Sequence, residues 1–163
     1  MKTHAGATLI LVAIVAYACA PTGSSPTQSQ GTPTPAGSAA AGAPIGSWTS
    51  TLTGADLQAA GFSEPGAISE NAGTFTLTFG PDGTWTLAQV TDHPVRWPVF
   101  RGPFATTGPG TLEMTTAFPE AYAGEVVAVE WTMEGGGLRL HLISPDDPLI
   151  RAQLETHVWA PAP

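Results

Sequence analysis

From residue 45 onward apolar side chains return mostly at every second position, in runs cut by Gly and Pro. Alternation bounded by turn-forming residues is the signature of half-buried strands. "SWTSTLT" opens a first strand, and "GTFTLTFGPDGTWTLAQV" reads as a hairpin around Pro81-Asp82-Gly83. "VFRGPFATTGPGTLEMTT" gives two more strands around Gly108 to Gly110. "VVAVEWTMEGGGLRLHLI" is a second strong hairpin turning at Gly135 to Gly137, and "LETHVWAP" supplies the eighth strand. Two segments leave the pattern. Between the first and second strands, Thr53 is an N-cap with Asp56 near the first turn, and Ser63, Glu64 and Pro65 open a second short helix. Before the last strand, Ser144 and Asp146 are caps and Pro148 stands at an early helical position. The pattern predicts an all-β protein, an eight-stranded antiparallel up-and-down barrel, because closure removes edges that an open sheet exposes. A half-open sandwich is the alternative.

In the two hairpins Phe75, Leu77, Phe79, Trp85, Leu87, Val127, Val129, Trp131, Met133, Leu138, Leu140 and Leu142 fall on one face. Thr74, Thr76, Thr78, Thr86, Glu130, Thr132, Arg139 and His141 fall on the other, as a solvated barrel exterior requires. An eight-stranded barrel is just wide enough for side chains or one small molecule, so this interior either fills itself or holds an apolar ligand. In the second case the candidate ligand contacts are Phe75, Leu77, Phe79, Trp85, Leu87, Val129, Trp131 and Leu140.

Gly46-Ser47-Trp48 on the first strand is similar to the Gly-x-Trp motif of the calycin superfamily, the lipocalins and fatty-acid-binding proteins. The paired helical insert between strands one and two resembles the lid of the fatty-acid-binding branch. The resemblance spans most of 45–163 and implies a ligand-binding barrel in which Arg151 is the basic residue closing one end over Trp48. A guanidinium over an indole contributes about 0.5–2 kcal/mol. The other placement leaves Arg151 exposed on a short acidic-capped helix and Trp48 simply in the core.

Upstream of this domain the pattern changes twice. Met1 and Lys2 precede an apolar run, Ala5 to Ala18, whose length suits a signal peptide and falls short of the roughly 18 residues that span a bilayer. Ala16, Tyr17 and Ala18 lead into Cys19, the single cysteine of the chain, followed by Ala20. This resembles a bacterial lipoprotein signal, whose cysteine is acylated and becomes the first residue of the mature protein. Acyl chains at about 0.8 kcal/mol per buried methylene would hold a soluble domain on a membrane. From 20 to 44 the chain is Pro, Thr, Ser, Gly and Ala with only Gln28 and Gln30 besides and almost nothing to bury, the composition of a disordered tether. The organisation expected is a signal peptide over 1–18, a lipidated cysteine and tether over 19–44, and a barrel over 45–163. That places the protein, as a monomer, on the outer face of a cell membrane.

The chain carries a formal net charge of −8, and loss of Lys2 with the leader makes it more acidic. An acidic domain without a basic cluster is a poor partner for nucleic acid or anionic head groups. Catalytic patterns are missing: there is no Gly-x-Ser-x-Gly, no His-Glu-x-x-His and no phosphate-cradling glycine loop. His93, His141 and His157 lie far apart, and Asp92, Asp146 and Asp147 lack ligand spacing, so neither metal nor other cofactor is expected. Glu130 and His141 meet across the second hairpin on its outer face, where such a contact contributes little. "DHPVRWPVFRGPF" is the one unusual connection; its Arg96, Trp97, Phe100 and Arg101 are candidates for a rim that meets an anionic group or a partner protein. The function expected is therefore binding or sensing of a small hydrophobic molecule, without enzyme activity. The alternative is a protein-interaction module with a filled barrel, an inhibitor or a transporter accessory.

Overall fold

The computed structural model describes residues 42–91, 93 and 97–163. The expected signal peptide, Cys19, most of the tether, Asp92 and Arg96 lie outside the described residues.

Eight strands follow one another as β1 (Gly46–Leu52), β2 (Gly73–Phe79), β3 (Thr84–Val90), β4 (Phe100–Gly108), β5 (Thr111–Thr115), β6 (Val126–Glu134), β7 (Gly137–Ser144) and β8 (Ala160–Pro161). Each pairs with its sequence neighbour through β7, and β8 lies on the free side of β1, all antiparallel. The two ends of the sheet meet where Leu138 and Trp159 exchange backbone hydrogen bonds of 2.8 Å. The result is a nearly closed up-and-down barrel, the predicted architecture. Its last strand is shorter than "LETHVWAP" promised, because Leu154 and Glu155 complete a helix.

Three short helices sit in the connections: α1 (Gly54–Ala59), α2 (Pro65–Asn71) and α3 (Pro148–Glu155). Thr53 begins α1 with a reciprocal capping box: its hydroxyl accepts from the Asp56 N–H while the Asp56 carboxylate accepts from the Thr53 N–H. Pro65 starts α2, where a missing N–H costs nothing. For α3 the cap is Asp147 rather than Ser144 or Asp146; its Oδ1 accepts from the N–H groups of Leu149 and Ile150 at 2.8 and 3.0 Å. With Pro148 at the first helical position, the residue just before it takes the capping role.

Burial follows the predicted alternation. Phe75, Leu77, Phe79, Trp85, Val129, Leu138, Leu140 and Leu142 are buried, and Leu87, Val127 and Trp131 are half-buried against them. Met133 is the exception, 52% exposed where the alternation puts it inside. The β5–β6 ladder ends at Thr111 opposite Glu130, so the last residues of β6 have β7 on one side and no strand on the other. A side chain there points inward with nothing to cover it.

Because the strands alternate in direction, the connections alternate between the two ends of the barrel. Tight turns at 80–83, 109–110 and 135–136 share one end; Gly83 at φ 77° serves the first of them. The connections 53–72, 91–99, 116–125 and 145–159, with all three helices, share the other. Side chains fill the tight-turn end. There Phe79 and Phe104 meet edge to face at 5.2 Å, and the Trp48 indole donates to the Pro44 carbonyl. Toward the opposite end β3 pairs with β4 only from Thr84 to Leu87, and Ala88 to Val90 run on without a β4 partner.

Candidate functional site

At the long-connection end the interior is hollow. A cavity of about 310 Å³ lies between the wall strands and the helices that cross this end. Phe75, Leu77, Trp85, Leu87, Met114 and Val127 come from strands, Leu149, Ile150 and Leu154 from α3, and Trp97, Pro98 and Phe100 from the β3–β4 connection and the start of β4. Helix α3 lines it because it carries an apolar face that must be covered: Leu154 is buried, and Leu149 and Ile150 are half-buried against the core.

Hydrogen bonds hold this wall in place. The Gln89 side-chain amide donates to the carbonyls of Glu70 and Ala72 at 3.0 and 3.1 Å, and the Trp97 indole donates to the same Glu70 carbonyl at 3.2 Å. The end of α2, where carbonyls lack helical partners, is thereby tied to β3 and to the β3–β4 connection. Buried Asn71 donates to Ala67 O at 2.8 Å. The Trp85 indole crosses to β5 and donates to Thr115 O at 3.1 Å. Opposite Trp85 stands Gly102, where a Cβ would lie 1.9 Å from that same oxygen; only glycine lets β4 and β5 approach so closely. The Phe100 and Tyr122 rings lie 5.3 Å apart. Since both Gln89 donor bonds run to carbonyls, its amide orientation is fixed, and its Oε1 is buried without a partner.

The sequence-predicted residues divide. Phe75, Leu77, Trp85 and Leu87 line the cavity. Phe79, Val129 and Leu140 do not; they are buried in the packed part of the core. Trp131 is half-buried, off the cavity, with a buried indole N–H that has no partner. Trp97 and Phe100, expected to face outward as a partner rim, line the cavity instead. Arg101 is exposed, its guanidinium 5.0 Å from the Phe118 ring centre, and Arg96 is outside the described residues.

The expected closure of the barrel by Arg151 over Trp48 is corrected. Trp48 sits near the tight-turn end, whereas Arg151 belongs to the β7–β8 connection at the opposite one. Arg151 instead pairs with Asp146 at 3.0 Å and Glu155 at 3.1 Å along an outer cleft between α1 and α3. Glu155 Oε1 also accepts the Leu142 N–H at 2.6 Å and lies 3.3 Å from His141 Nδ1, so His141 turns to α3 rather than to Glu130 opposite it. In the same cleft the Thr53 hydroxyl, then the Thr53 N–H and then His157 at 3.1 Å hold the Asp56 carboxyl down at about 2.

Residues the pattern did not single out complete the wall: Asn71, Gln89, Thr116, Tyr122, Glu125 and Gln153. Only Gln89 carried a readable signal, since it continues the inward register of Trp85 and Leu87. Among the described residues no group of three or more His, Cys, Asp or Glu side chains could hold a metal ion, and no helix is long and apolar enough to cross a membrane. Neither protein-family models nor curated proteins match this chain.

Proposed function

We propose that the barrel is a carrier or sensor that takes one small apolar molecule into the cavity at its long-connection end. Acylated Cys19 and the tether that follows would hold the domain on the outer face of a cell membrane, in the manner of a calycin on a lipoprotein anchor. The observation that carries the reading is the cavity itself: about 310 Å³, walled mainly by aliphatic and aromatic side chains. That volume sits at the lower end of small-molecule sites, about 300–1,000 Å³. It matches on the order of ten water volumes of roughly 30 Å³ each, room for a ligand of about ten non-hydrogen atoms.

Native mass spectrometry of the purified chain, followed by solvent extraction, tests this. A small-molecule adduct that extracts into organic solvent is expected, together with enhanced emission of an added hydrophobic dye. Absence of both overturns the reading. The second reading, a protein-interaction module, draws on the outward-facing Val90, Val99, Phe118, Val126 and Ile143, exposed apolar residues that all belong to the long-connection end. It predicts neither adduct nor dye response, and loss of partner binding when Val90 and Ile143 become Ser.

A further inference from the structure

The polar groups of the cavity point to a ligand class. Among the described lining residues there is no Lys, Arg or His, while two acidic residues, Glu125 and Asp147, line the cavity from the β5–β6 and β7–β8 connections. An apolar acid entering here would meet like charge and no compensating cation among the described lining residues, and its own carboxylate would lose hydration. Some of the donors of the wall are already committed. The indoles of Trp85 and Trp97 and the amides of Asn71 and Gln89 all donate to backbone carbonyls. What the wall has left mixes the hydroxyls of Thr116 and Tyr122 and the Gln153 amide, which donate or accept, with groups that only accept: the exposed Glu125 carboxylate, the Asp147 oxygen not used in capping α3, and Gln89 Oε1. Aromatic faces add to this, since Trp and Tyr rings attract a cation.

Resting on the carrier reading above, we infer that the ligand is a small apolar amine, bound as an alkyl- or arylammonium whose chain occupies the barrel and whose N–H groups face the carboxylates at the mouth. The chemistry is set by the charge of the described lining: a cationic donor is matched, a neutral alcohol tolerated and a carboxylate disfavoured.

Three probes of nearly equal size separate these cases: octylammonium, 1-octanol and octanoate. They are titrated calorimetrically at neutral pH and low salt into the full chain carrying Cys19→Ser, which removes the acylation site. Octylammonium is expected to bind at least tenfold more tightly than octanoate, with octanol between them, and 0.5 M salt should narrow the gap. In the doubly substituted Glu125→Gln, Asp147→Asn chain, octylammonium should fall to the affinity of octanol. Asparagine retains the acceptor that caps α3, and circular dichroism verifies the fold. Octanoate binding as tightly as octylammonium, or an ammonium preference that survives in the double variant, overturns the amine assignment and leaves the carrier reading standing. No heat and no tryptophan response with any of the three overturns both.

Discussion

The two ends of the barrel are built from the same strands and differ in what joins them. At one end tight turns draw neighbouring strands together, and Phe79, Phe104 and Trp48 fill the space between them. At the other end connections of nine to twenty residues hold the strand ends apart, and helices with half-buried faces span the gap without filling it. Strand interiors supply a packed core wherever the walls converge. Connection length decides where they do not. Stability and binding are therefore divided along the barrel axis, and substitutions at the two ends should separate them.

Phe79→Ala gives the largest effect expected. It empties a fully buried site at the packed end, and truncations of this kind cost about 3–5 kcal/mol. Denaturant unfolding should show that loss, while the affinity of any cavity ligand, measured where the variant is still folded, changes little. A comparable loss of affinity would show that the ends are not independent. Next comes Glu155→Ala, which removes the acceptor joining α3 to Leu142 on β7. Hydrogen bonds to charged groups contribute about 1.5–3 kcal/mol, and the part exposure of this carboxylate places the expectation at the lower bound. Because α3 forms part of the cavity wall, this variant should lose ligand affinity together with stability.

Leu87→Trp reverses the profile of Phe79→Ala. The indole grows into space already empty, so the melting temperature should move by only a few degrees while ligand binding falls at least tenfold, read by calorimetry. The smallest effect belongs to Asp56, in the outer cleft away from the cavity. Its folded-state carboxyl is held at about 2, below its ordinary value of 3.8, so the stability it adds is complete above pH 4 and disappears as pH falls toward 2. In Asp56→Asn the acid unfolding curve should be shallower between pH 4 and 2, with cavity binding at neutral pH unchanged.

Most of the barrel was readable from the chain because period-two burial and Gly- or Pro-marked turns are local signals. β2 and β3 run from Gly73 to Val90 as read, and the Thr53–Asp56 box is a four-residue pattern visible in the string. What escaped depends on contacts distant in sequence. Met133 alternates correctly and is still exposed, because β5 ends too early to cover it. Phe79 and Phe75 share a face and a strand, yet only Phe75 lines the cavity, a distinction set by distance from the tight turns. Arg151 and Trp48 looked like a pair until the direction of β1 placed them at opposite ends. The polar lining of Asn71, Thr116, Tyr122 and Gln153 lies in or beside connections that carry no periodicity to read.

Leu138 and Trp159 join the two ends of the sheet, after α3, and β8 adds two further residues against Trp48 and Thr49. Synthesis runs from amino to carboxyl terminus, so the ring stays unsealed until residue 159 has emerged. Through that interval the Trp159 indole, fully enclosed in the finished protein, has no home, and seven strands wait with two open edges. A chain cut after Val158 would keep that gap open.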